Sequence, residues 1–155
     1  KGSGSVIGDF KFMCKEAVLP ASTIEPGTVT YMGRALQIPG NRGVQQLNTT
    51  VYNDEDMAIR NHIENWMEMI NSHRTNSRQT GMAAIGTYTG SLKVKQLSKE
   101  DVGTVKTYEF VDCWPSSCAE VPLSWETNEI QTFAITWEYN YWKTMDSAGT
   151  VIAGS

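Results

Sequence analysis

At 155 residues, with 40% apolar and 19% charged side chains, the chain can bury one sizeable core and is too apolar to be disordered throughout. Thirteen Lys and Arg against seventeen Asp and Glu leave a net charge of −4, which argues against a dedicated nucleic-acid binder, since such proteins carry a basic surplus. No apolar run approaches the roughly 18 residues of a membrane helix, no charged-then-apolar signal segment opens the chain, and its three cysteines, an odd number, fit reduced thiols better than a disulfide framework.

Lys1–Gly8 is rich in Gly and Ser and reads as part of a mobile arm over residues 1–9. Phe10, Phe12 and Cys14 alternate with Lys11, Met13 and Lys15, which predicts a first strand with one wet side, ending at Leu19-Pro20. The segment to Gly27 is turn-rich, with Pro26-Gly27 as its strongest signal. Thr28–Ile38 reads as a bent strand or hairpin broken near Gly33 and closed by a turn at Pro39-Gly40-Asn41-Arg42. Leu47–Tyr52 is a further strand. A helix over about residues 54–71 follows: Asn53 is placed to cap it, Asp54, Glu55 and Asp56 fill its first turn, and Asp56 takes the capping-box position where Glu or Gln is usual. Ile59, Ile63, Trp66 and Ile70 make its apolar stripe, and His73 and Arg74 follow its C-terminal end.

Ser72–Gly81 lacks apolar periodicity and is expected to be a mobile loop. Strands are predicted at about Ala84–Thr89, Leu92–Leu97, Thr104–Cys113 and Val121–Trp125. The longest signal is Asn128–Trp142, where Phe133, Ile135, Trp137, Tyr139 and Tyr141 recur at every second position. At about 3.3 Å per residue this stretch would run roughly 50 Å, more than a small domain needs for its own core, so it is expected to help join subunits. Residues 143–155 read as a small, polar tail. The fold class is α+β and mainly β: two packed antiparallel sheets, sandwich or barrel, with one flanking helix in a single domain over residues 10–142.

Catalytic patterns are not visible. There is no Gly-rich phosphate loop with its Lys, no GxSxG, no HExxH and no GxGxxG. His62 and His73 read as surface or capping residues, and the acids at 54–56 serve the helix dipole better than a calcium site, which needs alternating ligands and a Gly. Cys113 and Cys118 enclose Trp-Pro-Ser-Ser without a second ligand pair, so buried thiols are expected rather than a metal site. Lys93, Lys95 and Lys99 fit an edge strand protected against stray pairing better than a phosphate-binding face in an acidic chain.

Several segments resemble the tail tube proteins of T-even-type contractile-tailed bacteriophages: FKFMCKEAVLPAS (Phe10–Ser22), the turn at Pro39–Arg42, VYNDEDMAIRNHIENWMEMI (Val51–Ile70), YEFVDCWP (Tyr108–Pro115), LSWETNEIQTFAIT (Leu123–Thr136) and Tyr141-Trp142. They cover most of residues 10–142 in family order; the departures are the Ser72–Gly81 loop and the two ends. The resemblance implies a fold shared with the type VI secretion tube protein, and hexameric rings stacked into a hollow tube inside a contractile sheath through which phage DNA passes. It implies no enzymatic activity and no cofactor. The implied partners are other copies of the chain, the sheath protein, and the baseplate and tail-terminator proteins, in a virion tail assembled in the bacterial host cytoplasm.

Physical arithmetic fits such a bore. If each of six subunits lends about four strands, about 24 strands spaced roughly 4.8 Å apart and tilted about 40° close at a backbone diameter near 50 Å, leaving about 40 Å between side chains. A non-basic wall would let DNA slide, because duplex DNA carries one negative charge per roughly 1.7 Å of axis. Thr132, Thr136, Glu138 and Asn140 are expected on the lumen or a subunit seam, Arg60, Glu64 and Glu68 on an outer, sheath-facing helix, and Leu19, Pro20, Pro39 and Arg42 in inter-subunit loops. The rivals are a tube protein of a secretion system or tail-like bacteriocin, a baseplate tube initiator, and a monomeric β-sandwich that binds a small ligand; an enzyme stands behind these.

Overall fold

Alternating burial on β-branched and aromatic residues organises the chain. The structure, a computed structural model, describes residues 10–99, 104–124, 129–146 and 151–153. In order they form β1 (Cys14–Val18), β2 (Thr23–Tyr31), β3 (Arg34–Gly43), β4 (Leu47–Tyr52), α1 (Ala58–Ile70), α2 (Ile85–Tyr88), β5 (Gly90–Leu97), β6 (Thr104–Cys118), β7 (Thr132–Glu138), β8 (Tyr141–Met145) and β9 (Val151–Ala153). The proposed arm at 1–9 lies outside the described residues.

The long strand expected over Asn128–Trp142 starts later, at Thr132, and is bent into β7 and β8; residues 129–131 are irregular and Asn128 lies outside the described residues. β7 and β8 both run antiparallel to β6, Trp114 opposite Glu138 and Val111 opposite Tyr141, so the pairing stays in step across the interruption at Tyr139-Asn140. Opposite the interruption Asp112 takes a left-handed φ of 56°. Asn140 holds the bend: its backbone N–H donates to the Val111 carbonyl at 3.1 Å and its side-chain amide to the Asp112 carboxylate at 2.9 Å. β6 and the β7–β8 line therefore pass from one half-sheet into the second, turning the corner at this irregularity. The first half-sheet is β1-β4-β7-β6 and the second is β5-β6-β8-β9. Phe133, Ile135, Trp137 and Tyr139 are buried as the alternation predicts, but Tyr141 is 44% exposed and Thr144 is buried, because the bend shifts the phase.

The core joins Leu47, Val51, Phe133, Ile135 and Trp137 of the first half-sheet to Phe110 and Cys113 of β6, and α1 closes it with Ile59 and Ile63. Trp66 of α1 lies with its ring centre 5.9 Å from that of Trp137, and Phe10 meets the same indole edge-on at 6.1 Å. The Trp137 indole N–H donates to the Thr49 hydroxyl at 2.9 Å, so this large side chain is buried without an orphaned donor.

Several boundaries differ from expectation, each for a local reason. Residues 10–13 are helical, because Phe10 and Met13, three apart, pack on the core while Phe12 stays exposed. Pro26-Gly27 and Pro39–Arg42 are not turns: they lie inside β2 and β3, with Pro26 opposite Pro39 beside a bulge. A two-stranded ribbon tolerates proline there because its outer edges need no backbone donor. A Cβ on Gly40 would stand 2.7 Å from the Glu25 carbonyl oxygen, which explains the glycine at that close approach. The helix begins at Ala58, not 54. Asn53 is drawn to Gln131 instead, through its backbone N–H at 2.9 Å and its side-chain amide at 3.2 Å, and Met57 at φ 49° separates the three acids from the helix. His73 and Arg74 lie beyond its last turn, which ends at Ile70.

Within the strand expected at Ala84–Thr89, Ile85–Tyr88 instead form the short helix α2, stabilised by the Thr87 and Thr89 hydroxyls donating to the Ala84 and Ile85 carbonyls and by the Trp66 indole donating to the Tyr88 carbonyl. Residues 121–124 are irregular, and Trp125 lies outside the described residues. Residues 143–145 and 151–153, read as tail, are the end of β8 and all of β9.

Candidate functional site

Side chains alternate across β7, so Thr132, Ala134, Thr136 and Glu138 point away from the core and from α1. Cross-strand pairing extends this face. Tyr52, Thr50 and Asn48 of β4 stand beside Thr132, Ala134 and Thr136, Glu16 and Val18 of β1 stand beside Thr50 and Asn48, and Trp114 of β6 stands beside Glu138. The result is a mainly polar face of four hydroxyls, one amide and two carboxylates, interrupted by Val18, Ala134 and Trp114. Lys15 reaches its rim, with Nζ 5.8 Å from the centre of the Tyr52 ring. The Gln46 amide donates to the Glu138 carboxylate, and Ser116 donates to the Thr136 carbonyl at 3.2 Å. Three of the four residues expected on this face, Thr132, Thr136 and Glu138, share it, whereas Asn140 is occupied in the bend.

The strand set behind this face has two open edges. β1 pairs with β4 on one side, and residues 114–118 of β6 pair with β7 on one side; among the described residues no strand covers the other side of either. Unpaired edges invite addition of another strand unless they are blocked. The β5 edge carries such protection: Lys93 and Lys95 are exposed, and Lys93 also holds Glu109 of β6 at 3.0 Å.

β2 and β3 form a separate two-stranded sheet in which every residue of β2 is exposed. Ile24, Val29, Tyr31, Leu36 and Ile38 all stand in solvent on it. A two-stranded hairpin alone is marginally stable in water, so this much uncovered apolar surface calls for a covering surface. Sequence reasoning found the strands here but not their exposure. Leu19 and Pro20 lie at and after the end of β1, in the connection to this hairpin, while Pro39 and Arg42 are strand residues within it.

On α1, Arg60 turns toward the body. Its Nε holds Glu64 at 2.7 Å, its Nη1 donates to the Ala119 carbonyl at 3.1 Å, and its guanidinium lies 5.7 Å from the Phe133 ring centre. Glu68 accepts hydrogen bonds from the Ser72 hydroxyl at 2.7 Å and the His73 N–H at 3.2 Å, which hold its carboxyl below the usual range. The loop after α1 is tied down as well: the Gln79 N–H donates to the Met69 carbonyl, and Arg78 stacks 4.8 Å from the centre of the Tyr88 ring.

Among the described residues, no group of three or more His, Cys, Asp or Glu is arranged to hold a metal and no helix is long and apolar enough to cross a membrane. Cys113 is a core residue, Cys118 packs against the core and Cys14 is half-buried. Burial pushes Cys113 up to about 12 and raises Cys14 and Cys118 as well. Because the folded form keeps its proton more tightly, the stability that Cys113 contributes is full below the ordinary thiol value near 9.0 and is lost as pH rises through about 12. At pH 8 a soluble disulfide reagent should label Cys113 only after unfolding, a result read by mass spectrometry of the labelled peptides.

Two open strand edges, a face turned from the core and an exposed apolar hairpin are the surfaces that this copy leaves uncovered among the described residues. Residues 3–145 match the phage tail tube protein family, and the chain belongs to it. It is 32% identical over 136 residues to the tail tube protein gp19 of Enterobacteria phage T4, spanning 87% of this chain and 82% of that protein. Its fold is similar to a chain of the PVC extracellular contractile injection system solved as a sheath–tube terminator in the extended state, with a TM-score of 0.65 and 10% identity over 85% of this chain and 84% of that one. A chain of the sheath–tube complex of the same system gives a TM-score of 0.60 and 11% identity over 86% and 80% of the two chains. The resemblance carried by Val51–Ile70 and Leu123–Thr136 thus leads to a structural tube subunit of a phage tail.

Proposed function

We propose that six copies close into a ring through the free edges of β1 and β6, and that rings stack into a hollow tube whose bore is the polar face of β1, β4, β7 and β6. The observation that carries this reading is the four-stranded half-sheet with both edges open and its outer face built from Thr50, Thr132, Thr136, Asn48 and Glu138. Six such sets give the roughly 24 strands whose closed barrel passes a DNA duplex with room to spare. Head-to-tail contacts that close make a ring, and those that do not close build a filament.

Phage DNA moves through this bore without being gripped, since its wall offers few cations. The chain performs no catalysis and takes no cofactor. The sheath surrounds the tube on the side bearing Glu64 and Glu68 of α1, and baseplate and terminator proteins close its two ends, after assembly in the host cytoplasm. The test is electron microscopy of the purified chain, alone and mixed with its sheath protein. Hollow rods of constant width, thickened by added sheath subunits, are expected. A chain that sediments as a single copy at every concentration would overturn the reading.

A further inference from the structure

Between α1 and the start of β5 runs a groove of about 360 Å³, lined by Ile63, Trp66, Met69, Leu92 and Trp137, with Phe10 in its wall. Its polar side chains are limited to His62 and Ser91, so water entering it finds few partners. Gly90 keeps it open, since a Cβ there would stand 3.4 Å from the Trp66 ring. Phe10 is also the first described residue, so the preceding chain joins the fold at this wall. Residues 10–13 are helical, and Phe10 and Met13 of that turn pack on the core. Residues 1–9 hold two large apolar side chains, Val6 and Ile7. They stand four and three positions before Phe10, the spacings that share one helix face. The family match begins at residue 3 and so takes in both.

We propose that the helical turn at residues 10–13 continues back to about residue 6 and lays Val6 and Ile7 into the α1–β5 groove of the same copy. This goes beyond the tube reading and does not depend on it. Reach is judged within one chain: one more turn, at about 1.5 Å per residue, carries the apolar face roughly 6 Å past Phe10. The groove follows α1 from Ile59 to Met69, about 15 Å, so both side chains fall within its length. Ser5 then takes the cap position, and Asp9 in the first turn meets the positive end of the helix dipole. Gly8 makes so short a helix weak on its own, so the contact with the groove has to hold it. Once seated, the two aliphatic side chains cover Trp66 and Trp137 and close the apolar cleft beside α1. A closed cleft offers no stray association site, which leaves the open strand edges and the hairpin as the surfaces for assembly.

The test uses the full chain, dilute enough to stay unassembled. Val6→Ser and Ile7→Ser together touch no residue of the described core, so the fold should survive. The melting midpoint should nevertheless fall by about 3 °C or more, the loss of two buried aliphatic side chains less the cost of ordering them. With 5-fluorotryptophan incorporated, the fluorine signals of Trp66 and Trp137, assigned by single Trp→Phe chains, should move on the same exchange. In separate chains, iodoacetamide should alkylate the thiol of Ile7→Cys about tenfold or more slowly than that of Ser3→Cys, as read by mass spectrometry of the N-terminal peptide. The three results together support the seated segment. Equal alkylation rates, an unchanged midpoint, or a protected thiol with unmoved Trp66 and Trp137 signals each overturn it, and none of them bears on the tube.

Discussion

Replacing Trp137 by alanine should lower the melting temperature of the unassembled chain by about 6–20 °C. The indole is 2% exposed at the centre of β7, touches Phe10 and Trp66, and donates to Thr49. Its neighbours belong to the segment before β1, to α1 and to β4, so a cavity here cannot be refilled by moving one element. Truncating a buried Trp costs roughly 3–5 kcal/mol, a large share of the roughly 5–15 kcal/mol that holds a domain together. Each kcal/mol moves the midpoint by roughly 2–4 °C at this chain length. Trp137→Phe keeps much of the volume but loses the hydrogen bond, and should cost about 1 kcal/mol. Circular dichroism melts at a concentration too low for rods are needed, since assembly itself raises the apparent midpoint. A fall of less than about 2 °C would mean that Trp137 is not the centre of the core.

On the proposed tube, lysine placed at Thr136 and Glu138 together should make the bore hold DNA where the wild-type bore lets it slide. The two positions sit on the polar face of β7 two residues apart, and the exchange removes one carboxylate and adds two cations per copy. The Gln46–Glu138 hydrogen bond is lost, but near solvent that costs little. With six or more phosphate contacts, DNA affinity should rise steeply at about 50 mM salt and fall by roughly 10³-fold or more at about 200 mM, the behaviour of counterion release. Nuclease protection of the bound duplex distinguishes DNA inside the tube from DNA on its outer wall. Wild-type release by the double variant, or binding without protection, would place this face somewhere other than the bore.

The sequence made β4 and α1 legible because one chain covers them: Leu47 and Val51, like Ile59 and Ile63, meet a core within the same copy. The same logic misled at residues 10–13, where Phe10 and Phe12 fit a two-residue period while the contacts follow Phe10 and Met13. At the hairpin, the pattern of Val29, Tyr31, Leu36 and Ile38 announced strands correctly but could not say that this copy leaves them uncovered. The start of α1 was hidden because Asn53 answers to Gln131, 78 positions away, and not to its neighbours. Of the expected surface residues, Thr132, Thr136 and Glu138 were readable from alternation alone, whereas the inward turn of Arg60 depends on the Ala119 carbonyl, which no local pattern encodes. The family came from ordered motifs spread along the chain, which composition and periodicity could not have supplied.

β6 and the β7–β8 line traverse both half-sheets as unbroken backbone, locked at their shared corner by Asn140 and Asp112. Sheets tied by loops can slip past each other; sheets woven from common strands cannot, because any slippage must tear the ladder on both sides of the corner at once. The subunit is therefore stiff under shear and torsion, with no soft joint between its two half-sheets.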